Sequence, residues 1–276
     1  MIDIQIIIVT HNNEKHIQWL LDGLKTSKNN IKVRIIDSGS NDKEYLYNIN
    51  YEGNIEIEYL ENIGFVAGNN HVLNKGLESD WTLLLNPDAR VDGEILDELL
   101  ERVNSRKDIG IATIPLIRYD IINKKPLKII DSLGISCSKI GKWKDIGSGE
   151  HTDKKNFLTV ESPAAVCGAF MLINNNALKE CRNKDNEIGF ESTYYMYKED
   201  IELSLRLTKY GYKNLLIKDL HAYHCRGWNK KRSQVPFWAK LQSAKNDVDV
   251  AIRYKKRALP FAIFKLIWVN LFERFS

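Results

Sequence analysis

A single rhythm constrains this chain more than any other feature: short apolar runs rich in β-branched residues alternate with stretches whose apolar residues recur at helical spacing. Ile4 to Val9 is a continuous apolar run, the pattern of a strand buried on both faces in a parallel sheet. Ile17, Leu20, Leu21 and Leu24 follow at the spacing of one helix face. The alternation continues through strand Val33 to Ile36, a polar helix in the forties, strand Ile55 to Leu60, helix Val66 to Leu77, strand Trp81 to Leu85, helix Glu94 to Val103 and strand Ile109 to Ile114. Such alternation predicts βαβ units and an α/β fold with a mostly parallel sheet covered by helices on both faces. Residues 118–160 lose the rhythm and read as an insertion of loops or short hairpins, to which patterning assigns no chemistry. It resumes with strand Ala169 to Ile173, a helix from about Glu199 carrying Ile201, Leu205 and Leu207, and strand Asn214 to Ile217.

With 276 residues, 43% of them hydrophobic and 28% charged, the chain has enough apolar material for one large α/β domain with an appendage and lies outside the disordered and disulfide-scaffold classes. Cys137, Cys167, Cys181 and Cys225 form no CxxC pair, so neither a zinc ribbon nor a dithiol redox centre is indicated, and reduced cytosolic thiols are expected. The N-terminus lacks the basic region and cleavage site of a signal peptide and reads as a first strand. The net charge of +4 is too small to point to nucleic acid, but its distribution is uneven. Residues 226–276 hold 12 Lys/Arg against 3 Asp/Glu, a net +9, and the preceding 225 residues carry −5. We divide the chain accordingly into a domain over 1–225 and a basic, aromatic helical tail over 226–276.

Polar clusters stand at the carboxyl ends of the first four strands: Thr10-His11-Asn12, Asp37-Ser38-Gly39-Ser40, Asn62-Ile63-Gly64-Phe65 and Asn86-Pro87-Asp88. In open α/β sheets ligands bind at that edge, so the four clusters are expected to line one cleft. Neither GxGxxG nor GxxxxGK[ST] is present, so phosphate must be held otherwise. Asp88 follows the apolar Leu83-Leu84-Leu85 run behind Pro87, which presents a carboxylate on a stiff loop. Such a hard oxygen donor suits Mg²⁺ or Mn²⁺ shared with substrate phosphates. Asp92 is the better cap for the helix near Gly93.

These clusters, in order, resemble the inverting glycosyltransferases of family 2, which have the GT-A fold. The likeness runs from Val9-Thr10-His11-Asn12 through Asp37-Ser38-Gly39-Ser40 with Asp42, Asn62-Ile63-Gly64-Phe65 with Gly68-Asn69-Asn70, and Leu85-Asn86-Pro87-Asp88. It continues through Gly168-Ala169-Phe170, Lys198-Glu199-Asp200 with Arg206, Gly211-Tyr212, and His224. It looks most like the rhamnosyltransferase-like branch, in which Asn-Pro-Asp replaces Asp-x-Asp; Asn86 then supplies a neutral oxygen where many relatives have a carboxylate. The resemblance implies that Thr10 and Asp37 contact base and ribose, that Asn62 and Gly64 shape the wall beside the ribose, and that His11, Asn12, Ser40, Phe65, Asn70 and Asn86 complete the donor side. It further implies that Asp88 and His224 hold the divalent ion on the diphosphate, that Gly168, Ala169 and Glu199 border the acceptor, and that Asp200 is the catalytic base.

Asp200 also follows from chemistry. Inverting transfer to a hydroxyl needs a carboxylate opposite the departing diphosphate, and a helix N-terminus favours the ionised form. For His224, a neutral imidazole binds metal, so affinity is expected to fall with pH. His221 reads as an ordinary surface or core histidine.

The tail interleaves Phe237, Trp238, Tyr254, Phe261, Phe264, Trp268, Phe272 and Phe275 with Lys and Arg. It suggests a helix on an anionic membrane surface, against the alternatives of a helix covering the core or a homodimer contact; nucleic acid is not expected as a partner. Leu259 to Phe272 is too short to span a bilayer. Together these features read as a metal-dependent, cytoplasmic or peripheral inner-membrane glycosyltransferase. Its donor would be a nucleotide-diphosphate sugar, dTDP-rhamnose ahead of a UDP-hexose, and its acceptor a surface glycan or lipid-linked glycan. The rivals are a silent nucleotide-sugar binding or scaffold protein and a nucleotidyltransferase. Both Asp88 and Asp200 speak against the first, and the lack of a glycine-rich, basic phosphate loop in Val9 to Glu14 speaks against the second.

Overall fold

The structure, a computed structural model, describes residues 3–153, 161–226 and 235–274. Its centre is a seven-stranded sheet. Strands β1 (Asp3–Thr10), β2 (Asn30–Ser38), β3 (Asn54–Leu60), β4 (Trp81–Leu85), β6 (Ile109–Thr113), β11 (Phe170–Asn174) and β12 (Lys213–Leu216) lie in the order β12-β6-β11-β4-β1-β2-β3. All run parallel except β11, which enters between β4 and β6 antiparallel to both. The reversal was not foreseen, because a five-residue apolar run buried on both faces looks the same in either direction.

The strand period of two splits each strand between two cores. From β1, Ile4, Ile6 and Ile8 face one core with helices α1 (Ile17–Leu24), α2 (Glu44–Tyr47) and α4 (Gly93–Val103). Ile7 and Val9 face the other, with α3 (Gly64–Leu73), α5 (Asn175–Glu180) and α6 (Glu199–Lys209). Helix α3 starts two residues before, and ends four before, the expected Val66 to Leu77 span. Asp92 does precede α4, but its carboxylate accepts from Arg90 Nε and Nη2 at 3.0 and 2.9 Å instead of capping the helix.

The insertion over 118–160 is made of hairpins as expected, and 154–160 lie outside the described residues. Strands β5 (Ala89–Arg90), β7 (Leu116–Asp120), β8 (Lys125–Ser132) and β13 (Ala222–His224) form a second sheet in the order β5-β13-β7-β8. Beside it β9 (Ile135–Cys137) pairs with β10 (Trp143–Asp145). The second sheet joins the loop after β4 to the end of β13 and so brings Asp88 and His224 together.

The tail is not a mere appendage. Helix α7 (Phe237–Tyr254) packs on α6, where Glu202, fully buried, accepts from Arg206, Arg253 and Tyr254. Arg206 also donates to the carbonyls of Cys181 and Gly189, both at 2.6 Å, so the buried charge is both paired and hydrogen-bonded. Only helix α8 (Leu259–Phe272), beyond the turn at residues 256–258, leaves most of its surface open. Among the described residues no helix is long and apolar enough to cross a membrane.

Candidate active site

Each of the four polar clusters expected at the strand ends sends residues to one cleft, with a volume of about 630 Å³. Thr10 and His11 come from the end of β1, Ser38 from β2, Asn62, Gly64 and Phe65 from the turn into α3, and Asn86 and Asp88 from the loop after β4. The turn into α3 depends on Gly64: φ is +83°, and a Cβ there would lie 2.4 Å from the Tyr195 ring. Tyr195 hydroxyl donates to Asn62 Oδ1 at 2.8 Å and its ring meets Trp238 edge-on at 6.0 Å, so these two rings wall the mouth.

Asp37, Ser40, Asn12 and Asn70 are not part of this lining; Asn12 is exposed and the other three are buried. Asp37 is fully buried and accepts from the Ser40 N–H at 3.3 Å. Ser40 Oγ accepts from the Asn12 N–H at 2.8 Å, and the Tyr45 hydroxyl bridges Ser40 and Thr10 at 3.1 and 3.2 Å. The structure thus gives Asp37 and Ser40 a supporting place under the floor. Asn70 is a correction: its amide is wholly engaged by the Phe190 backbone, at 2.8 and 3.0 Å, and it braces α3 without reaching the cleft.

At one end of the cleft His224 Nε2 lies 3.3 Å from Asp88 Oδ1. Its Nδ1 bonds Asp131 Oδ2 at 2.7 Å, which fixes the ring so that the other nitrogen faces Asp88. Asp131 is held in turn by Arg226 Nη1 at 2.5 Å and Arg118 Nε at 3.3 Å. Burial raises the Asp131 carboxyl, but His224 and Arg226 outweigh it and bring it below the ordinary carboxylate range. Burial also disfavours an imidazolium at His224, yet the two flanking carboxylates push its pKa up to about 9. The flanking carboxylates thus favour the imidazolium, and a divalent ion bound here would have to displace its Nε2 proton.

Among the described residues no group of three or more His, Cys, Asp or Glu forms a metal cage. The donor set nevertheless fits a divalent ion: one carboxylate, one oriented imidazole, and the buried Asn86 Oδ1, which has no hydrogen-bond partner among the described residues. Two or three protein donors leave coordination positions for phosphate oxygens and water, which is how Mg²⁺ and Mn²⁺ bind at diphosphates.

A second pocket of about 250 Å³ shares Tyr197 with the cleft and is lined by Trp143, Asp145, Cys167, Lys198, Glu199, Asp200 and Ser243. Tyr197 and Lys198 both have left-handed backbone, with φ of 69° and 70°, a strained arrangement for consecutive non-glycine residues. Asn246 of α7 holds that turn by donating to the carbonyls of Met196 and Tyr197 at 3.1 and 2.7 Å. The turn starts α6 so that Glu199 and Asp200 both point inward. Asp200 accepts from the N–H groups of Gly168 and Ile201 at 3.0 and 2.8 Å, whereas Glu199 Oε2 is buried with no hydrogen-bond partner among the described residues.

Burial, together with the charge of Asp200, pushes Glu199 up to about 8. Burial also raises Asp200, against the pull of Lys198 and the two N–H donors. Of two adjacent carboxyls that share a site, the one with the donors ionises first. Asp200 is therefore the anion at neutral pH and Glu199 holds the proton. Desolvation raises both carboxyls, and the N–H donors on Asp200 set the order. Gly168 and Ala169 line neither pocket, but the Gly168 N–H donates to Asp200 at 3.0 Å and the Ala169 carbonyl accepts from the Asn86 N–H at 3.1 Å, which ties the two pockets together.

Asp131, Asp145, Tyr195, Tyr197, Arg226 and Ser243 carried no site reading in the sequence, and Trp238, read there with the tail aromatics, lines the cleft instead. Asp131 had a readable signal: it interrupts the apolar run Ile129-Ile130-Asp131-Ser132-Leu133, and a carboxylate inside a buried strand requires a partner.

The mostly parallel sheet, the reversed β11 and the cleft across the strand ends define a glycosyltransferase of GT-A fold. Residues 5–182 match the family model described as Glycosyl transferase family 2, and the chain belongs to that family. The rhamnosyltransferase WbbL of Escherichia coli (strain K12) is 28% identical over 242 residues, covering 80% of this chain and 83% of WbbL. Among solved structures, GalNAc-T7 with UDP, GalNAc and Mn²⁺ superposes with a TM-score of 0.65 at 15% identity over 91% of this chain. The chain spans about half of that protein, 48% of its length. The mannosyltransferase PcManGT from Pyrobaculum calidifontis, in complex with GDP-Man and Mn²⁺, gives 0.58 at 13% identity over 98% of this chain and 70% of its own. At these identities the likeness is one of fold.

Proposed function

We propose that this protein is an inverting, metal-dependent glycosyltransferase that moves a sugar from a nucleotide-diphosphate donor to a hydroxyl of a surface glycan or lipid-linked glycan. The observation that carries the reading is the placement of two differently charged centres on either side of Tyr197: the Asp88–His224 pair in the larger cleft and the Glu199–Asp200 pair in the smaller pocket. Inverting displacement needs that separation, with charge stabilisation at the leaving diphosphate on one side and a base at the incoming hydroxyl on the other.

Asp88, His224 and the Asn86 amide oxygen would hold the divalent ion, which would offset the negative charge on the departing diphosphate. Thr10, Asn62 and Gly64 border the base and ribose, with Asp37 and Ser40 supporting that floor. Asp200 accepts the proton of the acceptor hydroxyl, and Glu199, already protonated, does not compete for it. Tyr195, Tyr197 and Trp238 surround the donor sugar and exclude water from the reacting centre. No covalent enzyme intermediate is required.

For the donor, dTDP-rhamnose is preferred, on the Asn86-Pro87-Asp88 sequence and the likeness to a rhamnosyltransferase; a UDP-hexose is the alternative. A panel of nucleotide sugars tests this, scored as nucleotide released with Mn²⁺ or with chelator. dTDP release from dTDP-rhamnose that needs Mn²⁺ or Mg²⁺ is the expected outcome. Release from no nucleotide sugar would leave a silent binding protein as the better reading.

A further inference from the structure

We infer that α8 is an interfacial helix that seats the enzyme on an anionic lipid bilayer. The tail suggested a membrane contact as a whole, but α7 is part of the catalytic body, and the apolar surface left without protein cover belongs to α8. Ile263, Phe264, Ile267, Trp268, Leu271 and Phe272 are between 43% and 63% exposed, while only Ala262 and Val269 of that helix are buried. A run of six large exposed apolar side chains on one short helix is far more than scattered surface hydrophobes require.

Three features choose a bilayer over another protein surface. The helix has 14 residues, too few to span a bilayer but enough to lie in its interface. Trp268 packs between Phe264 and Phe272 at 6.0 and 4.6 Å, an aromatic strip of the kind that rests at the headgroup level. Basic residues flank the apolar face at both ends, Lys255, Lys256 and Arg257 before it and Arg274 after it, within a tail of net +9. In a symmetric dimer through α8 each patch would meet its own copy and bring these like charges together. Anionic lipid is complementary to them, and each Lys or Arg at such a surface strengthens binding roughly fivefold at low salt.

The position also has a use, which rests on the transfer reaction proposed above. Lys265 of α8 donates to Ser243 Oγ at 3.1 Å, and Ser243 lines the Asp200 pocket. Helix α8, whose outer face would rest on the bilayer, is therefore one side chain away from the pocket that would receive a lipid-linked acceptor.

The test uses the full chain with vesicles of phosphatidylcholine alone or mixed with phosphatidylglycerol. Sedimentation should show binding only to the mixed vesicles, weakening as salt is raised. The double variant Ile267→Asp/Leu271→Asp, both at exposed positions, should bind at least tenfold more weakly, and Lys256→Glu/Arg257→Glu likewise. Both should release nucleotide from the donor at the parent rate with a soluble acceptor, which separates loss of docking from loss of catalysis. No sedimentation of the parent with mixed vesicles at low salt overturns the inference. So does a parent dimer in sedimentation velocity that the Ile267→Asp/Leu271→Asp variant converts to monomer, since a second copy would then cover α8.

Discussion

Replacement of Asp200 by Asn is expected to lower transfer by about 10²- to 10⁴-fold, the usual cost of removing a general base, equivalent to roughly 3–5 kcal/mol of barrier. Donor affinity should be nearly unchanged, because Asp200 lines the smaller pocket and not the cleft; Asn keeps an oxygen for one of the Gly168 and Ile201 N–H groups, which bind separate carboxylate oxygens. Glu199→Gln is the matching control. Since Glu199 is already neutral below about 8, the substitution should cost less than about tenfold, small beside the loss of a general base. Its effect on stability has a defined sign. A carboxyl whose folded pKa is raised from 4.5 to about 8 makes folding less favourable as pH rises through that window. Glu199→Gln should therefore keep or raise the thermal midpoint at neutral pH. The acid limb of kcat/KM in the parent should lie above the ordinary Asp range, because burial raises Asp200. A large loss in Glu199→Gln with near-normal transfer in Asp200→Asn would exchange the two roles.

The second large effect is expected at Asp88. Asp88→Ala leaves His224 as the one charged or imidazole donor on the diphosphate side, and Mn²⁺-dependent binding of dTDP should weaken by on the order of a hundredfold or more, since even outer partners of metal ligands are worth 10- to 100-fold. Calorimetry with Mn²⁺ and with chelator separates this from nucleoside contacts, which should persist in the metal-free titration. Asp131→Asn should show the outer-partner loss, about 10- to 100-fold in Mn²⁺ affinity. In a His224→Ala background Asp131→Asn should add little, because Asp131 acts through the ring it orients. Parent-like affinity in Asp88→Ala would make Asp88 only a loop residue, and additive losses at Asp131 and His224 would remove the coupling.

How much of this was legible depended on where each signal was carried. Strands β1, β2, β4 and β6 were readable because β-branched apolar runs mark buried parallel strands. The polar residues that end them had to gather at one edge once the strands were parallel. The direction of β11 was not readable, since Phe170–Asn174 is buried on both faces and carries no alternation. Asn70 was misplaced because a family motif gives residue type and order, while the choice between cleft and Phe190 backbone is made by the loop that packs on α3. The pairing of Asp131 with His224 spans 93 residues and two strands of a sheet formed partly by the insertion, and local patterning has no access to such a contact. The tail was half-read: its charge and aromatics were plain, but the division into a buried α7 and an exposed α8 depends on Glu202 and Asp249 meeting Arg253, Tyr254 and Tyr194.

The stereochemistry of the first-formed product tests the central claim most directly. With the active donor, a soluble acceptor analogue and Mn²⁺, NMR of the new glycosidic linkage should show the anomeric configuration opposite to that of the donor, as single displacement assisted by Asp200 demands. Retention of the donor configuration would contradict the assignment of Asp200 as base and of the reaction as a direct inverting transfer.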